Sequence, residues 1–150
     1  MLSFQTIVVP TDFSEDAEAA LQQAVELAKA TGGRIHLLHA YHFPTYAVAG
    51  PGMAYSYPAG LFEDIQRHAA VRVREVEKII QAAGISVKSE IVEGPPSERI
   101  VECAEREKAD LIVMGTRGLT GLRHVVLGSV AERTLRHAPC PVMTVKAPAS

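Results

Sequence analysis

Short runs of apolar residues alternate along the chain with longer stretches in which apolar positions recur every three or four residues. TIVVP at residues 6–10 is a run of the first kind. Behind it, Ala17, Ala20, Leu21, Ala24, Val25 and Ala28 recur at helical spacing, in a segment opened by Asp12 and Ser14 and stopped by Gly32 and Gly33. RIHLLHAY (34–41) reads as a second buried strand. Helical spacing returns at Phe62, Ile65, Ala69, Val73, Val76, Ile80 and Ala83, with Gly84 as the expected C-cap. SVKSEIVE (86–93) alternates as a strand, PPSERIVECAEREKA (95–109) predicts a helix begun by proline, and DLIVMG (110–115) is a strongly buried run. SVAERTLRHA (129–138) predicts a short helix and PVMTV (141–145) a last strand. Strands separated by helices need crossover connections, which only a parallel sheet uses. The expected fold is therefore α/β: a single domain over residues 1–150, with an open, doubly wound, five-stranded parallel sheet and helices on both faces.

One stretch breaks the rhythm. Residues 42–60, HFPTYAVAGPGMAYSYPAG, hold three prolines, three glycines and three tyrosines, and a loop of this length in a compact domain is either functional or a plain surface excursion. The tyrosines keep a lid or partner-binding role open. Composition narrows the remaining classes. A hydrophobic fraction of 47% over 150 residues is enough for a real core, and no apolar run reaches the ~20 residues of a membrane helix. Fifteen basic against seventeen acidic residues give a net charge of -2, without the basic field that nucleic-acid binding needs, so neither nucleic acid nor membrane is expected as a partner. MLSFQTIVVPTDFSED lacks the pattern of an export signal, and the expected location is the cytoplasm. Cys103 and Cys140 stand far apart with no CxxC, and read as small buried hydrophobes. His36, His39 and His42 invite a metal reading, but His36 and His39 fall on opposite faces of a strand and no carboxylate cluster accompanies them in sequence. No metal ligand is expected.

Ligands of open parallel sheets sit beyond the carboxyl ends of the strands, where the winding reverses. Two segments end strands in this way: PTDFS, with Pro10, Thr11 and Asp12, and GTRGLTGLRHVVLGS (115–129), which holds four of the chain's eleven glycines. In the latter, Gly115 and Gly118 leave backbone N–H groups unobstructed, while Gly128 and Ser129 mark a helix start whose free N–H groups and positive dipole end suit an anion. The spacing is neither the P-loop nor the dinucleotide fingerprint. Plain readings stand beside these. Asp12 with Glu15, and Ser129 with Glu132, are both good capping boxes, and a cap hydroxyl and a phosphate ligand share a helix start without conflict. Arg117, Arg123 and His124 are either solvated surface or, for at least one of them, a charge-assisted contact to phosphate.

The pattern Gly115, two residues, Gly118, nine residues, Gly128, Ser129 resembles the nucleotide-binding signature of the ATP-binding universal stress proteins. IVVPTDFSEDAEAAL, IHLLHA, DLIVMGTRG and GSVAERTLRHAPCPVMTV resemble that family at matching places, so the likeness runs from about Gln5 to Val145. The resemblance implies an adenine nucleotide held at its base and ribose end by Asp12 and the backbone near Ala40. Met114, Gly115, Gly118, Gly128, Ser129 and Val130 would line the ribose and phosphates. It implies ATP, or AMP or ADP, with magnesium admitted alongside, a sheet order of 3-2-1-4-5, and a homodimer through the last strand. Ala40 departs from the bulkier aliphatic common at its place.

No carboxylate stands near residues 115–129 before Glu132, so no catalytic residue is assigned; slow ATP hydrolysis or self-phosphorylation is the most an enzyme reading supports. The expected function is ATP binding in a stress response, acting through nucleotide state and protein partners. The alternative within the family is a dimerisation module without nucleotide. A phosphate-accepting receiver would need an aspartate at the end of its third strand, where Val92, Glu93 and Gly94 stand.

Overall fold

The structure is a computed structural model, and it describes residues 3–42, 58–118 and 127–148. Most of the proline- and tyrosine-rich loop, and Arg123 and His124, lie outside the described residues.

The elements follow in strict alternation: β1 (Thr6–Pro10), α1 (Glu15–Thr31), β2 (Arg34–Tyr41), α2 (Leu61–Ala82), β3 (Val87–Glu93), α3 (Pro96–Arg106), β4 (Leu111–Gly115), α4 (Ser129–His137) and β5 (Val142–Val145). All neighbouring strands are parallel and the sheet order is β3-β2-β1-β4-β5. The chain winds outward from β1 through β2 to β3, then returns to the far side of β1 for β4. The reversal falls between β1 and β4.

Strand periodicity of two divides the core into two layers. Ile7, Val9, Ile35, Leu37, Leu111 and Val113 face one way, against Ala20, Leu21, Ala24, Val25 and Ala28 of α1 and Val73 and Ile80 of α2. Val8, Leu38, Ile112 and Met114 face the other way, against Ile100, Cys103 and Ala104 of α3 and Ala131 of α4. This is why β1 and β4 read as unbroken apolar runs: both faces are covered.

Local chemistry sets the helix ends with some differences from the sequence reading. The cap of α1 is Ser14, whose hydroxyl accepts the Ala17 N–H at 3.2 Å, so the Asp12–Glu15 capping box does not form. Asp12 instead accepts the Ser14 N–H at 3.0 Å, two residues on. Gly32 closes α1 in the left-handed region at φ 70°. The cap of α2 is Ala83, one residue earlier than expected, with Gly84 following at φ 79°. Phe62, placed by its spacing on the apolar face of this helix, is 42% exposed. At 22 residues α2 spans about 33 Å, longer than the about 26 Å of the eight-residue β2. Among the described residues no helix is long and apolar enough to cross a membrane.

Candidate functional site

At the carboxyl ends of β1 and β4, where the winding reverses, the structure encloses a cavity of about 180 Å³. Every described residue expected from the sequence to line a nucleotide site reaches it. Pro10, Thr11 and Asp12 come from the end of β1 and the turn beyond, and Ala40 from the end of β2. Met114 and Gly115 end β4, Arg117 and Gly118 follow it, and Gly128, Ser129 and Val130 open α4. Sequence reasoning missed the rest of the wall: Leu38, Ile100 and Ala131 make it apolar, and Ala17, Pro96 and Thr116 complete it. Leu38 shares a face with Ala40 two residues on, a period-two signal that was available in the sequence.

The turn after β1 is held in an unusual conformation. Phe13 lies at φ 64°, rare for a residue with a side chain. Its ring sits 4.7 Å from that of His39 and beneath the Arg72 guanidinium at 4.5 Å. His39 donates from Nδ1 to the Thr11 carbonyl at 2.8 Å, while the Thr11 N–H donates to the Leu38 carbonyl at 2.8 Å. These contacts from β2 and α2 over-determine the turn, and so fix where Asp12 stands.

The glycines serve the fold more directly than the sequence suggested. A Cβ on Gly115 would lie 2.8 Å from the Cβ of Asp16 and 3.0 Å from the Ala17 nitrogen, so its bareness admits the first turn of α1 against β4. A Cβ on Gly118 would lie 2.7 Å from the Asp12 carboxylate, which brings the two loops together. The Gly128 N–H is not open to a ligand, because it donates to the Thr116 carbonyl at 2.6 Å.

What does open into the cavity is the start of α4. Gly128 is its N-cap, and no side chain caps it. The first bond of this helix runs from the Glu132 N–H to the Gly128 carbonyl at 2.9 Å, which leaves the N–H groups of Ser129, Val130 and Ala131 without an intrahelical partner. The Ser129–Glu132 capping box does not form, because Ser129 is already helical and Glu132 pairs with Arg136 at 2.7 Å. Three donors and the positive end of a helix thus line one side of a cavity whose other side is apolar.

Asp16 is the site's unforeseen member. It is 4% exposed, and its carboxylate accepts from the Thr116 hydroxyl at 2.8 Å, the Arg117 backbone N–H at 3.1 Å, the Arg117 Nε at 3.2 Å and the Ala147 N–H at 2.9 Å. Burial alone would raise its pKa; the bonds from Ala147, Arg117 and Thr116 outweigh burial and hold the carboxyl below the usual range. The Arg117 guanidinium therefore faces Asp16, and this carboxylate ties α1 to the loop after β4 and to the chain beyond β5. A signal existed: Asp16 heads the row that continues through buried Ala20 and Ala24, an acid on an apolar stripe.

His36 and His39 do lie on opposite sides of the sheet, but the expectation that no carboxylate attends them is overturned for His36. Pairing of β2 with β3 and packing of α3 bring Glu90 Oε2 to 3.5 Å from its Nε2 and Glu107 Oε2 to 3.8 Å from its Nδ1. Burial pulls the His36 pKa down, against the pull of Glu107 and Glu90 in the other direction.

Comparison with known proteins agrees with this architecture. The universal stress protein family pattern matches residues 3–146. Universal stress protein MJ0531 of Methanocaldococcus jannaschii is 35% identical over 97% of this chain and 84% of its own length. The solved structure of MJ0577, from the same organism, superposes with a TM-score of 0.83 at 30% identity, covering 99% of this chain and 100% of that one. A universal stress protein solved in complex with cAMP superposes at 0.71, with 27% identity over 98% and 100% of the two chains. That of Archaeoglobus fulgidus in complex with dAMP does so at 0.67, with 26% identity over 97% and 100%. Sequence match and fold agree over nearly the whole chain, which belongs to the universal stress protein family.

Proposed function

We propose that the cavity between β1 and β4 binds an adenine nucleotide, ATP or its di- or monophosphate, and that nucleotide occupancy is the signal this protein passes to its partners in a stress response. The observation that carries this reading is the set of N–H groups of Ser129, Val130 and Ala131 lining a cavity with an apolar opposite wall. Phosphates suit the donors and the helix dipole, and a flat base suits the space beside Leu38, Ala40 and Ile100. The relatives solved with cAMP and dAMP support the adenine moiety. In this arrangement Asp12 accepts from the base or ribose, and Pro10, Thr11, Met114, Gly115, Arg117, Gly118 and Gly128 shape the walls. Magnesium enters with the phosphates of ATP. The same reading places the protein in the cytoplasm as a homodimer through β5, an edge strand of four residues that otherwise presents unpaired backbone groups.

The test is calorimetric titration of nucleotide-free protein with adenosine, AMP and ATP. Asp12→Ala weakens all three about tenfold. Gly128→Glu, which puts a side chain and a negative charge at the helix start, penalises ATP more than adenosine. Circular dichroism establishes that both variants fold. Equal weakening of adenosine and ATP by Gly128→Glu would move the phosphates away from α4. If freshly purified protein releases no adenine nucleotide on denaturation and binds none, the dimerisation module without nucleotide is the better account.

A further inference from the structure

We propose that His36, Glu90 and Cys103 form a zinc-type metal site between α3 and the β2–β3 ladder, independent of the nucleotide cavity. One ligand atom from each, the His36 imidazole nitrogen, a Glu90 carboxylate oxygen and the Cys103 sulfur, lies within 4.8 Å of the others. None of the three lines the cavity at the strand ends.

The imidazole points to a ligand independently of this clustering. The side chain of His36 is 4% exposed, yet its Nε2 has no hydrogen-bond partner; Glu90 stands 3.5 Å away without hydrogen-bond alignment. A buried polar atom left in this state asks for an explanation, and an absent ion is one of the few available. The spacing fits. Tetrahedral zinc places neighbouring nitrogen, oxygen and sulfur ligands about 3.4 to 3.6 Å apart. The His36–Glu90 separation already matches, and the third atom closes by side-chain rotation. Glu90, at 26% exposure, is the member that shifts to meet the ion, whereas Cys103 is fully buried.

Two neighbours complete the arrangement. Glu107 Oε2, 3.8 Å from Nδ1, stands where a carboxylate orients a metal-bound imidazole and leaves Nε2 for the ion. Arg106 holds both oxygens of Glu90, at 2.8 and 2.6 Å, and contacts Glu107 at 3.3 Å, while Lys88 reaches Glu107 at 3.4 Å. These cations neutralise the carboxylates while the protein is metal-free. With metal bound, Arg106, which is 52% exposed, keeps one Glu90 oxygen and cedes the other. The Cys103 thiol proton passes to solvent as the sulfur–metal bond forms, so one proton leaves per ion. Imidazole, carboxylate and thiolate together select zinc over magnesium or calcium. Solvent supplies the fourth ligand.

The full chain, stripped with a chelator, is titrated with Zn²⁺ by calorimetry and with Co²⁺ by absorption. One ion per chain is expected, with a thiolate-to-cobalt charge-transfer band and the visible bands of tetrahedral cobalt. Cys103→Ser abolishes the charge-transfer band, Cys140→Ser leaves it unchanged, and His36→Gln weakens zinc at least about tenfold. Glu107→Gln weakens zinc about 10- to 100-fold but keeps the band, as a positioning residue should. The wild-type cobalt spectrum requires no variant to fold. Its lack of a charge-transfer band, or retention of the band in Cys103→Ser, would overturn the site even if zinc binds elsewhere on the surface.

Discussion

Asp16 on α1 and His36 on β2 are both almost wholly buried polar side chains, yet their surroundings are opposite. Asp16 accepts four hydrogen bonds from three residues, two of them backbone donors far along the chain. His36 has carboxylates on both sides, but its Nε2 has no aligned partner. Burial penalises the charged form of each. At Asp16 the hydrogen bonds more than offset that penalty, and the carboxylate stays charged; at His36 the penalty prevails, and the imidazole stays neutral. A satisfied buried group is part of the framework, whereas an unsatisfied one is a weak point or a ligand in waiting.

The largest difference should appear when each side chain is removed. Asp16→Ala leaves the Thr116 hydroxyl, two backbone N–H groups and the Arg117 guanidinium without their acceptor, and should destabilise the protein by about 3 kcal/mol or more in urea unfolding. A loss under about 1 kcal/mol would mean that water replaces the carboxylate easily and that Asp16 is no clamp. Gly115→Ala probes the same junction from the other side. Its new Cβ meets the backbone of α1, so a cost of about 1 to 3 kcal/mol is expected, together with weaker nucleotide binding as the cavity wall shifts. Nucleotide affinity that is unchanged would separate the α1–β4 contact from the site.

His36→Leu should behave differently. In metal-free buffer it removes a buried atom that lacks a partner, and stability should stay within about 1 kcal/mol of wild type. A drop as large as that of Asp16→Ala would show that Glu90 or Glu107 holds the imidazole firmly. pH separates the two residues further. The folded value of His36 lies below its ordinary 6.5, so the unfolded chain takes up the proton first and stability falls as pH drops from about 6.5 toward the folded value. His36→Leu should lack that fall. For Asp16 the folded value lies below its ordinary 3.8, so its contribution is complete above that and is lost only as pH falls through the folded value. Urea melts of wild type and His36→Leu across both windows test the assignment.

The smallest effect is chemical rather than energetic. Burial pushes the Cys103 thiol up to about 12, and it also raises Cys140. In metal-free native protein, Cys103 should react only as the protein opens, after the half-buried Cys140. Rapid native-state labelling of Cys103 would contradict its burial.

Much of the site was legible because it is sequential in character. Asp12 follows a strand directly, and Gly115, Gly118, Gly128 and Ser129 are bound to one another by spacing along a single segment; strand ends and helix starts reveal themselves in such local signals. The role of each residue was less legible. Gly128 reads equally well as an open N–H donor or as a cap, and only the Thr116 carbonyl, 2.6 Å from its nitrogen, decides between them. Ser129 and Glu132 have the spacing of a capping box, but the box fails because the helix starts one residue earlier than that spacing requires. Arg117 reads as a phosphate ligand until Asp16, a hundred residues earlier, is seen to hold it.

By itself the sequence determined the order and type of the nine elements among the described residues, because periods of two and 3.6 and the turn residues between them are properties of adjacent positions. It also determined that the glycine-rich segment follows a buried strand and precedes a helix. Only the tertiary structure decided which residues distant in the chain become neighbours. It set Asp16 against Thr116, Arg117 and Ala147, laid α1 on Gly115, and gathered His36, Glu90, Cys103 and Glu107 from two strands and a helix. The physical reason is that hydrogen bonding, desolvation and steric exclusion act over a few ångströms in space, and neither periodicity nor composition records which distant positions the winding of the sheet brings within that range.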